Sequence, residues 1–248
     1  MSPTRFTVLT LVLLAGPAAA QDDPKAIIQK AIQAKGGADR IDRYPAAVIE
    51  TKGTLFQGGH AVPFTARTVY ELPDRGRIAL EQEVLGGKIQ AVQIFDGSKA
   101  RVTVNGQPRE LSDVQVRDFR ESIYAQNVMR LTPLLKDPGF TLAAADATTV
   151  GGKPAVGVKV SSKDHRDVTL YFDRDSGLLV KADRPVVNAM GKEVKQEQTY
   201  ADYKAFEGLK HPLHTVVTRD GQKLMESETV DFKPLEKADP REFAAEGK

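Results

Sequence analysis

Histidines are the side chains in this sequence that could hold a metal ion. The closest pair is His211 and His214, within the segment His-Pro-Leu-His. In a β-strand, side chains three positions apart lie on opposite faces, which is poor geometry for chelating one ion. We therefore predict no metal site and no cofactor, and we assign the two rings to a solvated surface.

Acid–base chemistry could come from residues 164–167, whose sequence is Asp-His-Arg-Asp. Strand-like sequence flanks this segment on both sides, which favours a polar hairpin turn. The sequence has no cysteine, and it contains no nucleophile-elbow, phosphate-loop or zinc-protease motif. We therefore predict no catalytic residues and a protein that is not an enzyme. The alternative is a hydrolase with an unfamiliar site.

The charged residues of both signs are spread evenly along the chain, which has 248 residues and a net charge of +2. A nucleic-acid-binding protein needs a basic patch or stripe. None is visible here, so we expect no nucleic-acid partner.

Residues 1–20 have the pattern of a secretory signal peptide. Arg5 provides a positive start, 6–16 is an apolar run, and Ala18 and Ala20 provide small residues for cleavage after Ala20. An uncleaved anchor is the alternative, but the run is shorter than the roughly 20 apolar residues that span a bilayer. We predict export to the periplasm, with residues 21–248 forming a single domain.

Two helical segments are expected in the exported chain. The first runs from 22 to about 35, since it opens on Asp-Asp-Pro, has an apolar stripe at helical spacing and ends at two glycines. The second is 111–136. Pro133 should break it near Thr132, because proline removes a helical hydrogen bond.

Alternation with a period of two dominates the rest of the chain, from Ala46 onward. Turn signals such as Asp96-Gly97 and Asn105-Gly106 separate the alternating runs. We predict a mainly β (α+β) fold of about ten antiparallel strands and two helices.

Two helices of modest length cannot cover the apolar face of so large a sheet. The sheet should therefore close into a barrel, form a second layer itself, or leave an open hollow under the helices. Its hollow should be dry and suited to an acyl chain. The alternative is that the same residues form an ordinary core. The residues predicted to line the hollow are Ile49, Leu55, Phe64, Tyr70, Ile78, Leu80, Val84, Phe119 and Ile123.

Three short segments and the order of elements resemble the LolA/LolB-like family of periplasmic outer-membrane lipoprotein-sorting proteins. They are Tyr-Glu-Leu-Pro-Asp-Arg-Gly-Arg at 70–77, Phe-Asp-Gly-Ser-Lys at 95–99, and the tail formed by 230–232 and 239–243. Where the carrier of that family has an arginine before the proline of the first segment, this chain has Leu72.

The resemblance implies a half-open barrel with lid helices and an interior that accepts lipid or lipoprotein acyl chains. It also implies a role in lipoprotein sorting, with a membrane-bound protein as a further partner, and we expect a monomer. The alternative is a periplasmic sensor or regulatory module on the same fold.

Overall fold

The computed structural model describes residues 23–84, 86–188 and 191–244. The predicted leader, 1–20, and its cleavage site after Ala20 lie outside these residues. Among the described residues, no helix is both long enough and apolar enough to cross a membrane.

The first predicted helix is confirmed. Asp23 caps it, since its Oδ1 accepts the Lys25 backbone N–H at 3.1 Å. The helix ends at Gly36, whose φ of 135° is open to glycine but not to most side chains. The described residues contain these α-helices: α1 (Pro24–Lys35), α2 (Ala38–Arg43), α3 (Asp113–Val128) and α4 (Pro133–Lys136).

The second helical segment is divided as predicted. Ser112 and Gln115 form a capping box that starts α3. The helix ends before Pro133, which begins the separate helix α4. Helix α2 was not predicted, because its six residues include only one buried apolar side chain, Ile41, and so show no periodicity.

The described residues form thirteen strands rather than about ten. The short pair β5 and β6 and the alanine- and threonine-rich β7 have too little apolar alternation to be counted from sequence. The strands are β1 (Ala46–Gln57), β2 (His60–Glu71), β3 (Arg75–Val84), β4 (Gly87–Asp96), β5 (Ala100–Val104), β6 (Gln107–Arg109), β7 (Phe140–Val150), β8 (Lys153–Ser162), β9 (Val168–Asp173), β10 (Leu179–Val187), β11 (Glu193–Phe206), β12 (Leu209–Arg219) and β13 (Gln222–Leu235).

All these strands belong to one antiparallel sheet that does not close. Its order is β6-β5-β4-β3-β2-β1-β13-β12-β11-β10-β9-β8-β7, so the first and last strands of the chain pair at its centre. Helices α3 and α4 lie between the edge strands in sequence, since the chain leaves the sheet after β6 and returns at β7.

The sheet curves around α3. Ile123 of α3 lies against Gly76 of β3, and the neighbouring Ser122 accepts a hydrogen bond from Arg184 of β10. In a flat sheet, six strand spacings would separate β3 from β10 by about 29 Å. A helix with its side chains is only about 10–12 Å wide. Contact with both strands therefore requires a curved sheet, as predicted for a half-open barrel.

The main core lies between the helices and the second half of the sheet. Ile28 of α1 and Val128 of α3 are fully buried against Val158 and Leu170 of β8 and β9. We call this helix-covered side of the sheet the inner face.

A second, smaller core covers the outer face of the first half. Phe243, from the 3₁₀ helix Pro240–Phe243, packs with Val69 and Ile94. The preceding Glu242 accepts two hydrogen bonds from Arg67, at 3.0 and 2.8 Å. The end of the described chain therefore lies across the outside of the sheet and holds strands β2–β4 from that side.

Candidate functional site

The residues predicted to line the hollow lie on one side of the sheet. In an antiparallel ladder, directly opposed residues share a face. Ile49 is opposite Thr68, which is opposite Ile78. The other strand residues of the set follow at even separations along β1–β3, so they share this face: Leu55, Phe64, Tyr70, Leu80 and Val84.

Helix α3 contributes the two remaining predicted residues to the same side. Ile123 lies over Gly76, which is the inner-face partner of Tyr70. Phe119, one helical turn earlier, lines a cavity with Gln93, which is the inner-face partner of Ile78. The structure therefore brings the nine residues to one face, while their role in ligand binding stays a prediction.

The helices leave much of this face uncovered. Ile78 exposes 38% of its surface, and Leu80 and Val84 are only partly buried. By contrast, Leu55 and Phe64 are buried in a small cluster with Ala66 of β2, against which Leu80 and Met225 pack. An apolar concave surface left open in this way is typical of a ligand site.

A cavity of about 500 Å³ lies under α3 at one end of this surface. Phe119, Val102 and Val186 give it apolar walls. Arg184 and Arg219 also line it, from β10 and β12. It is large enough for a small ligand group, and it adjoins the open apolar face at Gln93, the ladder partner of Ile78.

Polar side chains deep in the hollow are desolvated but still reachable. Burial, followed by the nearby Arg130, lowers the pKa of Lys35 to about 8. Burial raises the pKa of Tyr70 to about 12. Both side chains nevertheless remain partly solvent-accessible. A position among protein atoms with part of the surface exposed is compatible with the wall of a hollow.

Lys35 projects from the end of α1 into this hollow. Its Nζ donates a hydrogen bond to the backbone oxygen of Met129 at 2.7 Å. The hydroxyl of Tyr200 lies 3.0 Å from the sulfur of the same Met129. The interior is therefore lined by cations and tyrosines as well as by aliphatic groups.

The histidine pair is divided between the faces, as predicted, but the assignment of both rings to a solvated surface is wrong for His211, which is desolvated on the inner face. His211 stacks on Phe232 with ring centroids 4.0 Å apart, and burial followed by Lys35 lowers the pKa of His211 to about 3. His214 pairs instead with Glu226, at 3.0 Å. No cluster of three or more metal-ligating side chains occurs in the described part of the chain.

The segment 164–167 is the predicted hairpin turn, lying between β8 and β9. It anchors α3 through Glu121, a buried residue of that helix. The Glu121 carboxylate accepts a hydrogen bond from the Arg166 backbone N–H at 2.9 Å and contacts His165 Nδ1 at 3.0 Å. Tyr124 stacks on the His165 ring at 3.9 Å. These side chains hold the helix over the hollow.

A separate hollow of about 660 Å³ lies at the other ends of β1–β3, β12 and β13. Charged side chains dominate its lining and pair across the surface, including Lys52 with Glu228 at 3.1 Å and Lys88 with Glu81 at 2.8 Å. This charged lining is unsuited to an acyl chain.

Sequence reasoning missed the charged groups of the interior. Lys35 has the pattern of a surface cation at a helix end. The position of Arg184 could have been predicted, because it lies two residues from both Ala182 and Val186 in a strand and therefore shares their apolar face.

No protein-family model matches this sequence, and no curated protein matches it. The structure is similar to that of a LolA superfamily protein from Nitrosomonas europaea, with 11% sequence identity, a TM-score of 0.56 and coverage of 90% of this chain and 97% of that one. It is also similar to a DUF1329 family protein from Desulfovibrio piger, with 13% identity, a TM-score of 0.52 and coverage of 90% and 98%.

A third similar structure is an outer membrane lipoprotein-sorting protein domain from Vibrio parahaemolyticus. It has 10% identity and a TM-score of 0.50, and the match covers 87% of this chain and 97% of that one. The chain therefore has a LolA-like fold, which confirms the fold that the sequence resemblance implied.

Proposed function

We propose that this chain, whose fold is LolA-like, is an exported periplasmic protein that binds or carries the acyl chains of lipids or lipoproteins. It acts without catalysis, as a monomer. Transfer to or from a membrane-bound partner protein, which the resemblance implies, is part of the same proposal.

The observation that carries the proposal is the half-covered inner face. The helices seal it over β8 and β9 but leave Ile78 38% exposed, with Leu80 and Val84 partly open beside it. Single exposed apolar residues are common on proteins, but neighbouring apolar residues left open on a concave face are typical of a binding site. An acyl chain laid along β1–β3 would complete this cover.

The energy available is sufficient for a carrier. Each buried CH₂ group contributes about 0.8 kcal/mol. A 16-carbon chain therefore contributes on the order of 10 kcal/mol before ordering costs. That gain is of the size needed to compete with a bilayer for the same chain.

The test is lipid binding by the purified exported chain. Mass spectrometry should find co-purified lipid, and the uncharged fluorescent probe N-phenyl-1-naphthylamine should bind and be displaced by acyl compounds. Ile78→Asp should weaken probe binding about tenfold or more, because it places a carboxylate on the apolar face.

Thr65→Asp is the matched control, since it introduces the same group on the outer face of the adjacent strand, opposite Glu81. Its probe affinity should equal that of the wild type. Absence of co-purified lipid together with absence of probe binding would contradict the proposed function.

A further inference from the structure

Two arginines enter the cavity under α3 from the inner face of the sheet. Arg184 of β10 shares this face with Ala182 and Val186. Arg219, at the end of β12, pairs across the ladder with Gln196, which is also the partner of Arg184. Both guanidinium groups therefore line the same cavity of about 500 Å³.

The protein provides only neutral acceptors for these two groups. Arg184 Nη2 donates to Ser122 Oγ at 3.1 Å, and Arg219 Nε donates to Gln196 Oε1 at 3.0 Å. Neither forms an ion pair with a carboxylate in the described part of the chain.

The carboxylate that lines the cavity, Asp118, is engaged elsewhere. Arg166 Nη1 lies 2.5 Å from its Oδ1, and the backbone N–H of Val187 donates to its Oδ2 at 3.2 Å. At the rim, Arg109 and Glu110 are exposed and opposite in charge. The cavity therefore retains the positive charge of Arg184 and Arg219.

Desolvated cations without a counterion are unfavourable. Burial lowers the pKa of Arg184 and that of Arg219, and the charge of Asp118 offsets only part of this effect. Repulsion by Arg219 lowers the pKa of Arg184 further. A bound anion would relieve both effects, since charge-assisted hydrogen bonds from arginine to carboxylate or phosphate are strong and can be bidentate.

The walls of the cavity continue into the apolar face. Phe119 and the two arginines line the cavity together with Gln93, whose ladder partner Ile78 belongs to the open apolar face. A ligand occupying both regions has an anionic group at one end and an aliphatic chain at the other.

We propose that the cavity under α3 binds the anionic headgroup, a carboxylate or a phosphate, of an amphiphile whose acyl chain lies on the inner face of β1–β3. This inference rests on the proposed function and narrows its cargo to anionic lipids. The acyl chains of a lipoprotein carry no such group at their attachment point.

The experiment compares ligands with the same chain and different heads. Dodecanoate, dodecyl phosphate, dodecanol and dodecyltrimethylammonium each compete for bound N-phenyl-1-naphthylamine at pH 8. We expect dodecanoate or dodecyl phosphate to displace the probe at concentrations about tenfold or more below those of dodecanol. Comparing the two anions distinguishes a carboxylate from a phosphate source, and the cation should be the weakest competitor.

Substitution of the two cavity arginines tests whether they cause the preference for anionic headgroups. Arg184→Gln with Arg219→Gln should reduce the ratio of anion to alcohol affinity to nearly one, while probe binding persists. Arg120→Gln, which removes an exposed arginine from the same helix α3, should leave the ratio unchanged.

Equal displacement by dodecanol and the anions, with the wild-type protein, would overturn the headgroup site and leave the proposed function standing. No binding of the probe or of any dodecyl compound would overturn both. The wild-type comparison requires no variant to fold, so it decides the matter even if the arginine variants are unstable.

Discussion

Gly76 is the position at which a single added methyl group tests the contact between α3 and the sheet. It is buried on the inner face of β3, and a Cβ placed there would overlap Ile123 Cδ1 of α3. The next nearest atom, Ile123 Cγ1, is 3.6 Å away, which is an ordinary contact. Gly76→Ala should therefore force the end of the Ile123 side chain to move and disturb its packing between α3 and β3.

The change in the free energy of unfolding caused by Gly76→Ala follows from two opposing effects. Overpacking a core position costs about 1–3 kcal/mol. Replacing glycine by alanine in a strand returns about 0.5–1 kcal/mol. We expect Gly76→Ala to lower the free energy of unfolding by about 1 kcal/mol, and each kcal/mol corresponds to about 2–4 °C in Tm for a domain of this size.

Ile123→Val removes the Cδ1 atom that the new methyl would meet, at a cost of about 0.5–1.5 kcal/mol by itself. In the double variant the overlap is absent, so the two changes should be coupled by about 1–2 kcal/mol. Urea titration followed by circular dichroism measures the four free energies. Gly87→Ala is the control, since its nearest atom is Val84 O at 3.6 Å and its effect should stay within about 0.5 kcal/mol.

A Gly76→Ala variant as stable as the wild type, with additive behaviour in the double variant, would refute the reasoning. It would mean that Ile123 turns its Cδ1 atom away from the new methyl group at no cost, so that its contact with Gly76 does not stabilise the fold.

Three further predictions concern other parts of the fold. Glu121→Gln should lower the free energy of unfolding by about 1–3 kcal/mol, because the buried carboxylate accepts hydrogen bonds from His165 Nδ1 and the Arg166 backbone N–H. Urea titration measures this loss, and an unchanged midpoint would contradict the prediction. Burial lowers the pKa of His211 to about 3, so between pH 6.5 and 3 the unfolded chain binds a proton that the folded chain does not, and stability should fall with decreasing pH by at most about 1.4 kcal/mol per pH unit. His211→Gln should reduce this slope and His60→Gln, at an exposed site, should leave it unchanged; equal slopes in all three proteins would refute the assignment. Phe243→Ala should lower the free energy of unfolding by about 3 kcal/mol, measured by thermal denaturation, and a loss below about 1 kcal/mol would show that the tail does not support the sheet.

Helix ends could be predicted from the sequence, because the glycine or proline that ends a helix lies within a few residues of that end. Gly36 ends α1 and Pro133 separates α3 from α4, as backbone geometry requires. Alternation placed the predicted strand residues on one face, because the side-chain period of a strand is fixed. Helix α2 and the strand β7 lack apolar periodicity, so their existence depends on tertiary contacts that no local pattern records.

The interior charges were harder to predict than the apolar lining. Alternation assigns Arg184 to the inner face, but it does not say whether a carboxylate will meet it there. That depends on the approach of α3, whose Ser122 is separated from Arg184 by 62 positions in the chain. Long-range pairing of this kind is set by the curvature of the whole sheet.

Packing on the outer face of β2–β4 explains how the inner face of these strands can remain open. Strands β2–β4 receive less cover from the helices, since the main core lies over β8 and β9 and α3 meets β3 through the Ile123 contact with Gly76. They gain support instead from the outer cluster of Val69, Ile94 and Phe243. The half of the sheet that leaves Ile78 exposed is therefore the half that the tail covers from behind. If this division is right, Phe243→Ala should lower the apparent affinity for N-phenyl-1-naphthylamine only as far as it unfolds the chain, and binding measured well below the Tm should be that of the wild type.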